Sequence, residues 1–208
     1  MHARPALPKV IKSVVFVAAL VPAAALVARA LKGTLGVNPA ETLQLQTGIW
    51  ALRFLLLTLA VTPLRRVTGW HRVIQYRRML GLFAFFYATA HFLTYLVLDQ
   101  FFAFDLMVKD VVKRPFITAG MVAFLLMIPL ALTSTRGWIR RLGRRWQALH
   151  RLIYLSGIAA AVHFVWKVKV AMGEPVYYAA ILAVLLAARV WWWRSRRQRA
   201  TSPRPATT

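Results

Sequence analysis

The sequence predicts an all-α integral membrane protein, a bundle of six transmembrane helices with both termini cytoplasmic. Three observations carry this. Six apolar runs are each long enough, at ~17 residues or more, to cross a hydrocarbon core of ~30 Å. The 208-residue chain is 60% hydrophobic with a mean hydropathy of +0.57, far from a soluble domain. Its basic residues gather at one end of successive runs, as cytoplasmic loops do.

The runs fall at about 11–31, 47–64, 77–98, 115–133, 147–166 and 175–193. Lys9, Lys12 and Ala28-Arg29-Ala30 give the first run some likeness to a cleavable signal. Its length and the interior Pro22 favour a retained helix. Pro63, Pro115, Pro129 and Pro175 mark ends of runs or sit inside them, where membrane helices tolerate proline. One side collects Arg65, Arg66, Arg72, Arg77, Arg78, Arg136, Arg140, Arg141, Arg144 and Arg145. The other side holds every acid in the chain: Glu41, Asp99, Asp105, Asp110 and Glu174. The expected organisation is a cytoplasmic N-terminus over 1–10, one six-helix domain over 11–193, and a disordered basic cytoplasmic tail over 194–208. The net charge of +23 is read as topology and lipid-headgroup contact, with no nucleic-acid role. No convincing two-fold repeat is visible. The acids lie in loops or at their edges, which argues against a secondary transporter.

Three histidines lie inside the apolar runs: His91 in the third, His150 and His163 in the fifth. An ionisable side chain within a membrane helix is a functional candidate by default. The sequence has no cysteine, so cysteine-ligated clusters, thiolate zinc sites and covalently attached haem are excluded. Alternate runs point the same way, so the two histidine-bearing helices are parallel. His150 and His163 are separated by about 20 Å of helix rise, and Arg77 and His91 by about 21 Å. His91 is therefore expected level with His163, and Arg77 level with His150. This suits a non-covalent haem between His91 and His163, since two imidazoles make a low-reactivity electron-transfer centre. Ala88, Ala90, Gly157 and Ala159 to Ala161 leave room for a flat ring, and Phe83, Phe86, Tyr87, Phe92 and Tyr95 are candidate walls. An inner site at His150 lacks a second histidine; Arg77, Arg78, Met79 or water are its possible partners. On a straight helix His150 and His163 would also sit about 140° apart, so a kink near Gly157 or an irregular first turn is needed. Arg53 either snorkels to the interface or pairs with a propionate of the outer haem.

The stretches Tyr76-Arg77-Arg78-Met79-Leu80-Gly81-Leu82, Trp146-x-x-Leu149-His150-Arg151-Leu152-x-Tyr154 and Thr62-Pro63-Leu64-Arg65-Arg66, with His91 and His163, resemble the ferric-reductase-like transmembrane domain. The closest likeness is to the membrane haem subunits of bacterial methionine sulfoxide reductase systems. The resemblance implies a b-type haem at His91 and His163, with His150 as a further haem ligand. In the wider superfamily, which includes the NADPH oxidases, a fourth histidine makes room for a second haem. Arg77 stands in its place here. The resemblance also implies electrons from the quinone pool or from a reduced flavin, through a bound FMN or a separate flavin reductase. Their implied destination is a periplasmic molybdenum-containing methionine sulfoxide reductase, across the bacterial inner membrane. No G-x-G-x-x-G follows a strand, so a nicotinamide-binding domain is not expected. The alternative within the superfamily is a haem protein that reduces ferric iron or oxygen directly.

Overall fold

A computed structural model describes residues 7–168 and 173–201. Among them, α1 (Leu7–Leu31) and α2 (Pro39–Thr68) are followed by a 3-10 turn at His71–Tyr76 that leads into α3 (Arg77–Thr94). A π-turn at Tyr95–Asp99 ends α3; then come α4 (Phe104–Lys113), α5 (Pro115–Leu132), α6 (Arg136–Leu142) and α7 (Arg144–Leu149). The last two are α8 (Leu152–Lys167) and α9 (Glu174–Thr201). Six helical stretches are long and apolar enough to cross a membrane: Val10–Leu31, Pro39–Thr68, His71–Asp99, Pro115–Leu132, Arg144–Lys167 and Glu174–Ser195. The expected six-helix architecture holds.

The boundaries differ where capping outweighs hydropathy. α2 begins at Pro39 rather than at 47, because Asn38 caps it: its Oδ1 accepts from the Glu41 amide at 3.2 Å, with proline at the first position. It ends at Gly69, whose φ of 69° is left-handed. α9 runs past 193 to Thr201, into the stretch expected to be disordered. Its Arg, Gln and Ala are good helix formers, and no proline intervenes before Pro203. Residues 1–6 and 202–208, the outer parts of both expected termini, lie outside the described residues. The fifth span is not one helix. It breaks at His150-Arg151, between α7 and α8, while α8 passes through Gly157 unbroken. Of the two remedies for the 140° mismatch, the irregular first turn is the one found.

Pairwise contacts fix the packing. Gly48 meets His91 and Gly81 meets Thr58, so α2 and α3 are antiparallel. Gly120 meets His163, and Thr133 meets His150, so α5 and α8 are antiparallel too. Phe16 packs on Phe83 and Ala19 on Tyr87, which sets α1 parallel to α3. The centre is filled by Leu55, Leu59, Ala84, Tyr87 and Ser156. Val14, Val17, Val21, Val184 and Val190 stay exposed on α1 and α9, the faces a bilayer would solvate.

Side chains from other helices reach the backbone beside two of the helix prolines. Around Pro22, the Tyr87 hydroxyl donates to the Ala19 carbonyl at 2.8 Å and accepts from the Ala23 amide at 3.1 Å. It thereby serves both members of the i→i−4 pair next to the proline. Pro63 has no N–H for the Leu59 carbonyl, and Arg189 Nη2 of α9 donates to that oxygen at 3.4 Å. The Arg189 guanidinium also donates to the Tyr154 hydroxyl on α8.

The structure contains a repeat that the sequence hides. His91 Nδ1 is 2.8 Å from the Gln44 carbonyl, and His163 Nδ1 is 2.6 Å from that of Phe116. Gly48 lies against the first ring and Gly120 against the second. Positions 44, 48 and 91 become 116, 120 and 163, a constant offset of 72 residues. The α2–α3 hairpin and the α5–α8 hairpin thus repeat one device, each contributing a histidine.

Candidate cofactor site

The two hairpins enclose a cavity of about 570 Å³, within the range of ligand pockets. Its floor and walls are largely apolar, among them Leu52, Leu55, Ala88, Phe92, Phe124 and Phe164. Its mouth lies where α2 and α5 begin and α3 and α8 end, and carries Asn38, Glu41, Asp99, Arg114 and Lys167. His91 and His163 line it from opposite hairpins. Their ring centroids are 6.0 Å apart, so the level argument from helix rise is correct.

That spacing has a chemical reading. Two metal–imidazole bonds of about 2 Å, plus roughly 1 Å of ring on each side, span about 6 Å. A carbonyl only accepts, so each Nδ1 must carry the proton and donate it to Gln44 or Phe116. Each Nε2 is then left with a free lone pair, the tautomer and orientation that metal-ligating histidines are usually given by their neighbours. The glycines make this possible. A Cβ on Gly48 would lie 3.0 Å from His91 Nδ1, and one on Gly120 only 2.7 Å from His163 Nδ1. Among the described residues, no group of three or more His, Cys, Asp or Glu could hold a bare ion. Two facing imidazoles fit a metal whose other positions are filled by a flat ring, which is the donor set of a bis-histidine haem. A third observation fits a ligand with polar edges: Tyr95 is among the lining residues, and its hydroxyl is buried with no hydrogen-bond partner.

The aromatic walls are partly different from those expected. Phe92 and Tyr95 line the cavity with Phe116, Phe124 and Phe164. Phe83 and Tyr87 instead stack on Phe54 at 5.6 and 5.3 Å, and Phe86 packs on Tyr87 at 5.2 Å.

The other candidate residues lie elsewhere. Arg53 is not among the cavity's lining residues: its Nε donates to the Tyr178 hydroxyl at 2.8 Å and its guanidinium lies 4.7 Å from the Trp50 ring centre. Arg77, the first residue of α3, is within electrostatic reach of His150, as their shared level predicts. Met79 packs against the central apolar cluster. His150 Nε2 is 3.1 Å from Thr133 Oγ1, and Trp146 stacks on its ring at 3.9 Å. Thr133 has one hydroxyl proton and gives it to the Pro129 carbonyl at 2.6 Å. With the proton so placed, His150 Nε2 is the donor to Thr133, whereas the Nε2 atoms of His91 and His163 are left unprotonated.

Residues 47–161 match the family described as ferric reductase like transmembrane component. The chain is 50% identical over 205 residues to the protein-methionine-sulfoxide reductase heme-binding subunit MsrQ of Xanthomonas axonopodis pv. citri (strain 306), covering 94% of both chains. The chain belongs to the MsrQ family. The same name is carried by a relative from Herminiimonas arsenicoxydans, 50% identical over 192 residues, covering 91% of this chain and 88% of that one. Another MsrQ, from Azospira oryzae (strain ATCC BAA-33 / DSM 13638 / PS), is 52% identical over 182 residues, covering 86% of this chain and 78% of its own. The family match begins at Thr47 and ends at Ala161, so it covers most of both hairpins, with His91 and the glycines at 48 and 120, and stops two residues short of His163. Sequence reasoning missed those glycines, as well as Gln44, Phe116, Arg114 and Lys167. Apart from small residues four positions after Gln44 and Phe116, the sequence offers little signal for them.

Proposed function

We propose that this multi-pass membrane protein is a b-type haem electron-transfer subunit, passing electrons across the bacterial inner membrane to a periplasmic, molybdenum-containing methionine sulfoxide reductase of the MsrP type. The observation that carries the reading is the facing pair His91 and His163, 6.0 Å apart, each with Nδ1 committed to a backbone carbonyl. His91 and His163 would hold the iron through Nε2. Haem, when bound there, supplies reversible one-electron chemistry. The chain's own part is to fix both imidazoles, to exclude water with Phe92, Phe124 and Phe164, and to open the cavity at the end that carries the acids. The Arg-rich opposite end is cytoplasmic in this reading, with both termini there. The donor is the quinone pool or a reduced flavin, through a bound FMN or a flavin reductase, and lipid is the remaining partner.

Direct reduction of oxygen or ferric iron is less favoured, because two imidazoles would occupy both axial positions on the iron. Parallel repeats also occur in carriers, but the device repeated here is an imidazole, a carbonyl and a glycine, with no carboxylate among them.

Purified full-length protein should show a b-type visible spectrum. With quinol or reduced flavin supplied, it should reduce an added MsrP-type reductase and support two-electron conversion of a methionine sulfoxide to methionine and water. A colourless protein that takes up no haem would overturn the cofactor. A fully reduced haem beside a reductase that stays oxidised would overturn the partner.

A further inference from the structure

Two imidazoles on one axis fix the centre and plane of a ring but leave its rotation about that axis free. Something else at the site must set the rotation. Tyr95 is the residue whose chemistry is unused. It is 8% exposed, it lines the cavity, and its hydroxyl is buried without a hydrogen-bond partner. Leaving a buried hydroxyl unpaired costs about 1–3 kcal/mol, so the position calls for an acceptor that comes with the ligand. Tyr95 is also the first residue of the π-turn that ends α3, a local irregularity frequent at functional sites.

The surroundings say what that acceptor is. Arg114 and Lys167 line the same cavity, and the charges of Arg114, Asp99 and Asp110 all act on the Tyr95 hydroxyl. Of the carboxylates nearby, Asp110 is engaged by Arg114 at 3.4 Å and by Gln100 at 3.0 Å. Glu41 accepts from Asn38 at 3.1 Å. Asp99 acts on the Tyr95 hydroxyl too and is a repulsive neighbour for an incoming anion, so Arg114 and Lys167, which line the same cavity, must offset it. A neutral buried donor near the Arg114 charge, in a cavity that the exposed Lys167 also lines, is suited to a carboxylate carried on an otherwise apolar body.

We propose that the Tyr95 hydroxyl, with Arg114 and Lys167, forms a carboxylate-binding corner that sets the rotation of the bound ring about the His91–His163 axis. Arg53, the sequence's candidate for this task, is held by Tyr178 and Trp50 instead. The inference rests on the haem reading above, and its test is chosen to separate the two.

The full-length chain, produced without haem and checked for helical content, is titrated with iron protoporphyrin IX and with its dimethyl ester, whose carboxylates are blocked. Wild type is expected to bind the free acid about tenfold or more tightly than the ester, the worth of hydrogen bonds to a charged group. Tyr95→Phe removes one hydroxyl and keeps the ring. It should weaken binding of the free acid several-fold, leave binding of the ester unchanged, and shift the midpoint potential of the loaded protein. Equal discrimination by wild type and Tyr95→Phe would overturn the proposal, as would a variant that weakens both porphyrins alike. Wild type that binds both porphyrins equally would also overturn it while leaving the haem reading intact. Failure to bind either would remove both.

Discussion

Gly120 is the space into which His163 fits: a Cβ at residue 120 would stand 2.7 Å from the imidazole Nδ1 and 2.9 Å from Cε1. The ring cannot yield, because Nδ1 is tied to the Phe116 carbonyl one turn earlier on the same helix. Gly120→Ala should therefore break that hydrogen bond, at a cost of about 1–3 kcal/mol from overpacking, and misdirect Nε2. The expected result is a large loss of haem per protein with the helical content retained. Gly48→Ala should do the same at His91 but less severely, since the nearest contact there is 3.0 Å. Absorbance ratios of the two purified variants check the order.

His91→Ala and His163→Ala should each abolish most haem incorporation, because a single axial ligand leaves the ring attached to one hairpin only. Either variant keeping a full wild-type visible spectrum would remove that residue from the ligand pair.

His150→Ala should leave the spectrum of the His91–His163 site in place. His150 Nε2 donates to Thr133, and the residue lies about 20 Å along the helical path from His163. Thr133→Val is the companion variant: it frees His150 of its acceptor while keeping the volume nearly constant. Complete loss of haem in a folded His150→Ala protein would place His150 on the principal iron and undo the level argument. Potentiometric titration of both variants tests for an inner site at the same time.

Tyr87→Phe should destabilise α1 without touching the cofactor. The hydroxyl serves the Ala19 carbonyl and the Ala23 amide together, and no water in a bilayer replaces it. A loss of about 1–2 kcal/mol is expected, read as a lower thermal midpoint in detergent with an unchanged haem-to-protein ratio.

The histidine pair was legible because helix rise is regular: counting residues from a common end placed His91 and His163 at one height. Rotation about each helix was less legible, since the break at His150-Arg151 follows from no proline or glycine at that point. Gly48 and Gly120 were hidden for another reason. Small residues are ordinary at any helix contact in a membrane, and only the ring opposite gives these two their meaning. The repeat escaped notice because its two copies share geometry more than residue type: Gln44 and Phe116 act through backbone carbonyls, for which side-chain identity is irrelevant. Arg53 had two readings in the sequence, the interface or a propionate. A cation in a membrane helix invites an anion as partner, but Tyr178 and Trp50 hold this one with a hydroxyl and an aromatic face.

The Leu59 carbonyl, opened by Pro63, receives its donor from a residue 130 positions later in the chain. Until α9 has entered the membrane, the middle of α2 keeps a bare carbonyl oxygen in hydrocarbon, and the Tyr154 hydroxyl of α8 lacks the same guanidinium. The first helix of the cavity-forming hairpin is thus completed by α9, which is synthesised long after it. Arg189 acts as a latch in time as well as in space. A chain cut off before it would have both histidines and all of the cavity's lining, yet no finished scaffold to keep them at their 6.0 Å separation.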